Sequence, residues 1–134
     1  MTEADLIAAA KAVRLNAHAP YSRFLVGAAV ATKDGRIFAG CNVENASYGI
    51  TNCAERTAFF SAIAAGVKAD EFSMIAVIGD TPGPISPCGA CRQVMIELGG
   101  TSLPVVLTNL AGKIERTTAG TLLPGAFRLD PNDV

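Results

Sequence analysis

Charge is scarce in this sequence. Charged residues fill 17% of its 134 positions, against the ~25% of an ordinary soluble domain. A monomer this small needs a polar skin, so the shortage points to surface hidden against other subunits. Eleven Lys and Arg against twelve Asp and Glu leave a net charge of −1. No basic surplus exists to neutralise a phosphate backbone, so nucleic acid is not an expected partner. No apolar run approaches the ~18 residues of a membrane span. The opening residues, MTEADLIAAAKAV, also lack a signal-peptide layout. The expectation is no membrane partner and a cytoplasmic location. Repeats, low-complexity stretches and linkers are missing too, so residues 1–134 read as a single domain. Four cysteines are too few for a disulfide scaffold, and a reducing compartment keeps them as thiols.

Apolar residues, by contrast, make up 50% of the chain, enough for a substantial core and too many for a disordered polyion. Thr2 and Asp5 have capping-box spacing, and Leu6, Ala9, Ala10, Val13 and Ala17 recur at helical spacing until Pro20. Residues 25–33 and 36–41 are apolar runs around Asp34-Gly35, a hairpin signal. Residues 52–66 predict a helix apolar almost all round, which should be buried. A central strand is expected at 73–79, then a helix with Ser86 as cap and Pro87 in its first position, ending near Leu98. Strands at 103–108 and about 113–118 follow, Pro104 placing the first of them at or near an edge. The order α-ββ-α-β-α-ββ implies a mixed sheet with helices on its faces.

Two segments carry chemistry: Cys53-Ala54-Glu55 and Pro87-Cys88-Gly89-Ala90-Cys91, each opening a helix. Cysteines at i and i+3 share a helix face, so Cys88 and Cys91 can reach one metal ion and Cys53 supplies a third sulfur. Three protein ligands leave the fourth tetrahedral position of Zn²⁺ open, the mark of a catalytic site. Cys41 remains a possible fourth ligand that would close it, or else an inert packed thiol. Glu55 can converge on the metal beyond the helix end as a proton shuttle and not a ligand. Three thiolates on Zn²⁺ leave a local charge of −1, which Arg56 can offset by donating to a sulfur; its alternative is a surface ion pair.

An upstream Cys-Ala-Glu with Pro-Cys-x-x-Cys is a general signature of zinc deaminases. With PYSRFLVGAAV (20–30), GCNVENASYG (40–49), CAERTA (53–58), SPCGACRQV (86–94) and LLPGAF (122–127), the chain resembles the small cytidine deaminases with all-cysteine zinc ligands. The resemblance implies a three-layer α/β/α sandwich on a five-stranded mixed sheet, and a homotetramer with shared active sites. It implies one Zn²⁺ per subunit on Cys53, Cys88 and Cys91, with Glu55 as proton shuttle. Asn42 and Glu44 match the pair holding the ribose hydroxyls, Phe24 an aromatic of the pyrimidine pocket, and Ala54 a backbone contact to the base. Ala46, Tyr48 and Phe127 match positions brought near a neighbouring subunit's site. The implied activity is hydrolytic deamination of cytidine and 2′-deoxycytidine, a small-molecule reaction of pyrimidine salvage.

On the residues alone, Asn42 and Glu44 also suit a turn after a strand, and Phe24 and Phe127 suit a core. His18, the only histidine, reads as an exposed helix-end residue without a role. Three rival functions stand beside the main one: a non-catalytic zinc-stabilised binding domain, a polynucleotide deaminase, and a deaminase of a nucleoside antibiotic. A closed metal site, a basic groove and the lack of a diol-binding pair, respectively, would mark them.

Overall fold

The computed structural model describes residues 1–129. Its helices are α1 (Glu3–Arg14), α2 (Ala54–Ala64), α3 (Gly89–Gly99) and a single turn, α4 (Ala119–Leu122). The strands are β1 (Val26–Thr32), β2 (Ile37–Cys41), β3 (Phe72–Gly79), β4 (Pro104–Asn109) and β5 (Ile114–Thr118). They form one sheet in the order β2-β1-β3-β4-β5. Only β3 and β4 run parallel, joined through α3, because parallel neighbours need a crossover connection.

Local chemistry sets the element ends. The Thr2 hydroxyl accepts from the Asp5 N–H at 3.1 Å, and the Asp5 carboxylate accepts from the Thr2 N–H at 2.9 Å. This reciprocal box starts α1 with Asp doing the work of the usual Glu. The helix ends at Arg14, short of the expected Pro20. Beyond it the His18 N–H donates to the Asn42 carbonyl and the His18 carbonyl accepts from the Glu44 N–H, at 3.0 and 2.7 Å. Ala17 therefore lies outside the helix, because the backbone that follows it is bonded to the chain leaving β2. His18 is exposed, as expected, though past the helix and not at its end.

The sheet divides two cores. On one face Leu6 and Ala10 of α1 pack against Ala29, Ala31, Ala76, Ile78 and Val106. On the other, α2 and α3 bury Ala58, Phe59, Ala62, Met95 and Ile96 against Val30, Ile75, Val77 and Leu107. This is the expected α/β/α sandwich. Two glycines allow the close contact: a β-carbon on Gly27 would stand 1.9 Å from the Ala10 carbonyl oxygen, and on Gly40 2.3 Å from the Ala58 nitrogen. Helices α1 and α2 are thereby held against β1 and β2, which fixes where α2 begins.

Two further expectations change and one is sharpened. Helix α2 is not buried all round: Phe60 and Ile63 are 46% and 38% exposed, because only one flank of an outer-layer helix meets the sheet. Pro104 lies near an edge, as expected, but not on the edge strand itself, since β4 is the last strand but one, between β3 and β5. It occupies the strand's first position, where the missing N–H costs no ladder bond. Ser86 does not cap α3; the cap residue is Cys88, and the helix starts at Gly89.

Candidate active site

The starts of α2 and α3 meet at one end of the sheet. Cys53 and Cys88 are the cap residues of these helices, both in extended backbone, and neither side chain is spent on capping. Their sulfurs are therefore available, and they lie 3.7 Å apart. Cys91, in the first turn of α3, completes a group whose three sulfurs all lie within 4.8 Å of one another. Tetrahedral Zn²⁺ with bonds of ~2.3 Å needs sulfurs about 3.8 Å apart, so number, softness and spacing fit that ion. Cys41, half-buried at the end of β2, is outside the group, so the closed four-sulfur alternative has no fourth sulfur among the described residues.

Electrostatics favour a cation here. A hydrogen bond from Cys91, and the Arg56 guanidinium donating at 3.2 Å, lower the Cys53 thiol to about 5 against the pull of burial. The same bond to Cys53 pushes the Cys91 thiol up, and burial and the Glu55 charge add to it. One thiolate thus makes the next harder to form, and a divalent cation reverses that penalty. The surface-pair alternative for Arg56 falls away, because its guanidinium is on a sulfur. Burial, followed by the Cys53 charge, raises the Glu55 carboxyl, which is only 5% exposed.

Cys53, Ala54, Glu55 and Cys88 form the floor of a cleft of about 260 Å³. Phe24, Val26 and Ile85 make its apolar walls, and Ser22, Asn42, Glu44 and Thr51 its polar end. Ser22, Glu44 and Thr51 also border an outer hollow of about 390 Å³ under Tyr21 and Tyr48. Residues 2–107 match the family described as the cytidine and deoxycytidylate deaminase zinc-binding region. The chain belongs to this zinc-binding deaminase family.

Named relatives agree. The chain is 58% identical over 122 residues to the cytidine deaminase of Sporosarcina psychrophila, covering 91% of this chain and 88% of that one. Identity to the cytidine deaminase of Halalkalibacterium halodurans is 54% over 129 residues, 96% of each chain. The crystal structure of cytidine deaminase from Burkholderia pseudomallei superposes with a TM-score of 0.93 at 66% identity, over 95% of this chain and 100% of that one.

In this deaminase the polar end of the cleft does structural work that sequence reasoning missed. Asn42 accepts from the Val26 N–H at 2.9 Å and donates to the Phe24 carbonyl at 2.8 Å. Glu44 accepts from the N–H groups of Tyr21 and Ser22, both at 3.0 Å, and from the Ser22 hydroxyl. These bonds, the Ser22 hydroxyl first, hold the Glu44 carboxyl below the usual carboxylate range. Together the two side chains brace residues 21–26, where Arg23 takes a left-handed φ of 57°. The brace fixes Phe24, which is 39% exposed in the cleft wall and not a core residue.

The remaining expected positions lie outside the cleft. Tyr48 is 72% exposed and meets the Tyr21 ring edge-on at 5.7 Å, over the outer hollow. Ala46 is exposed, and Phe127 is 71% exposed with its carbonyl held by Gln93 at 2.8 Å. Neither lines its own chain's cleft, and Phe127 is no core residue. Ser22, Val26, Thr51, Ile85 and Ser86 line the cleft without being among the expected site residues. Ser22 and Val26 sit inside the 20–30 block and Ser86 opens the 86–94 block, whereas Thr51 and Ile85 lie in none of the blocks.

Proposed function

We propose that this chain, acting as a single domain, hydrolyses cytidine and 2′-deoxycytidine at C4, giving uridine or 2′-deoxyuridine and ammonia. The observation that carries this is the buried Glu55 carboxyl in one cleft with Cys53 and Cys88, whose sulfurs group with that of the buried Cys91. Bound to Cys53, Cys88 and Cys91, Zn²⁺ would keep one tetrahedral position open and make water a nucleophile near neutral pH. Glu55 takes a proton from the attacking water and gives it to N3, which makes C4 electrophilic. It then takes the proton of the hydroxyl added at C4 and passes it to the amine, so that the C4–N bond breaks, the C4 carbonyl forms and ammonia leaves. A carboxyl raised by burial suits both halves of that shuttle, because it accepts and returns a proton at modest cost. Arg56 offsets part of the negative charge on the sulfurs.

The walls select the substrate. Phe24, Val26 and Ile85 suit the faces of a pyrimidine, and the Ala54 backbone at the helix start suits its polar edge. After bracing residues 21–26, Asn42 retains one N–H and one lone pair, and Glu44 retains acceptor capacity, a set that suits sugar hydroxyls. The carboxylate of Glu44 and the lack of Lys or Arg among the lining residues oppose a phosphate there. That argues for the nucleoside over deoxycytidylate, and against a polynucleotide. The location proposed is cytoplasmic and the role pyrimidine salvage.

The assembly we favour is a homotetramer in which Ala46, Tyr48 and Phe127 approach a neighbour's cleft. Its support is the exposure of Tyr48, Ile50, Phe60, Ile63 and Phe127 in one chain. The test of the activity is kcat/KM for cytidine, deoxycytidine, deoxycytidylate, cytosine, an oligonucleotide and blasticidin S, the antibiotic in the name of a 33%-identical Bacillus cereus relative. Both nucleosides should exceed every other compound at least tenfold, roughly the value of one good polar contact. A lead for deoxycytidylate or the antibiotic would overturn the reading.

A further inference from the structure

Cys88 ends a stretch without helix or strand that starts after Gly79. A sulfur ligand in such a stretch needs external anchors, since irregular backbone does not satisfy itself. At its near end, Asn109 donates to the carbonyls of Thr81 and Pro82 at 2.9 and 3.2 Å. At its far end a single guanidinium does the work. Arg92 Nε donates to the Pro87 carbonyl at 2.8 Å, the peptide group joined directly to Cys88. Its Nη2 donates to the Ser86 hydroxyl and its Nη1 to the Leu122 carbonyl, both at 2.7 Å. All three bonds are short enough to be charge-assisted. Leu122 closes α4, and from there the chain runs to Phe127, whose carbonyl is held by the next residue, Gln93.

The geometry points to Arg92 as a positioning residue for the metal site. It fastens the peptide before Cys88 to the carbonyl of Leu122, so the placing of a sulfur ligand and of the segment carrying Phe127 depend on each other. The proposal rests on the reading of Cys88 as a metal ligand. The planar fork matters as much as the charge: three nitrogens aim at three separate oxygens, which an ammonium cannot reproduce.

Arg92→Ala, Arg92→Lys and Gln93→Ala would be compared with the parent protein loaded with zinc or with Co²⁺. Arg92→Ala should weaken zinc, by chelator competition, about tenfold to a hundredfold, the usual loss when an outer partner of a ligand goes. The Co²⁺ absorption bands should shift. Amide exchange should quicken together at Ser86 and Cys88 and at residues 122, 123 and 125–127, the prolines between them having no amide proton. Arg92→Lys should recover less than half of the zinc loss, and Gln93→Ala should stay within about twofold of the parent. A lowered melting temperature with unchanged zinc affinity and Co²⁺ bands would overturn the proposal, and so would equal losses in Arg92→Ala and Gln93→Ala. Should Arg92→Ala fail to fold, the same metal readings on Arg92→Lys decide, parent-like values overturning it. A parent protein that binds zinc but deaminates nothing would sink the functional reading alone, because zinc affinity and amide exchange need no turnover.

Discussion

Asn42→Ala separates two roles that the sequence shows as one. If Asn42 only held a sugar hydroxyl, its loss would raise KM and leave stability alone. The structure gives it two backbone bonds in the free protein, to the Val26 N–H and the Phe24 carbonyl, at 2.9 and 2.8 Å. The residue is 8% exposed, and the bond to the first residue of β1 is buried. Removing the amide strands a buried donor, which costs ~1–3 kcal/mol, and breaks a second bond worth ~0.5–1.5 kcal/mol that cleft water partly replaces. The expected destabilisation is therefore about 2–4 kcal/mol. Activity should fall by more than one sugar contact explains, because Phe24 loses its support as well.

Urea unfolding of the zinc-loaded protein at fixed protein concentration measures the first quantity, since an assembly's apparent stability depends on concentration. Initial rates with cytidine measure the second. Asn42→Asp sharpens the comparison. It keeps an acceptor for Val26 but sets a carboxylate against the Phe24 carbonyl, so it should be at least as damaging. A stability loss below about 0.5 kcal/mol in Asn42→Ala, within the range of ordinary surface changes, would refute the brace.

Glu55→Gln should keep fold and metal while kcat falls by ~10²–10⁴-fold, and retention of a tenth of the parent kcat would remove it from the proton path. The same variant reports the raised carboxyl: a group whose folded pKa is raised stabilises fully below the ordinary carboxylate range and loses that contribution as pH rises through the raised value. Metal-free Glu55→Gln should therefore gain on the metal-free parent in urea melts as pH rises above the ordinary carboxylate range, and a constant difference would refute the shift. Cys88→Ala should lose zinc and activity, since two sulfurs make a poor tetrahedral site, while Cys41→Ala retains metal near the parent content by elemental analysis. Phe127→Ala should remain folded with zinc but bind cytidine more weakly by about 1–3 kcal/mol, the scale of base stacking. Mixed with Glu55→Gln subunits under exchange, it should regain activity above the unmixed average; strictly additive activity would return Phe127 to its own chain.

What was legible in the sequence shares a physical trait. Cys53, Glu55, Cys88 and Cys91 are placed by spacing at two helix starts, so their geometry follows from the helix repeat and from where each helix begins. The α1 capping box and the turn at Asp34-Gly35 are equally local, and both stand where the spacing put them. What escaped depends on partners far along the chain. Arg92 reaches Leu122, 30 residues on, and Asn42 reaches back 18 residues to Phe24. Neither distance leaves a periodic trace. Pro104 pointed only to a place at or near an edge for the same reason: a proline reports a missing donor, but whether that donor was needed depends on the neighbouring strand. The apolar roundness of α2 implied burial all round, yet the chain supplies cover on one flank only, leaving Phe60 and Ile63 exposed. The low charge of the whole sequence and that uncovered flank both fit the assembly proposed above. A partner covering Phe60 and Ile63 would rest on the helix that begins at Cys53, so that assembly would bear on the element carrying one of the sulfurs.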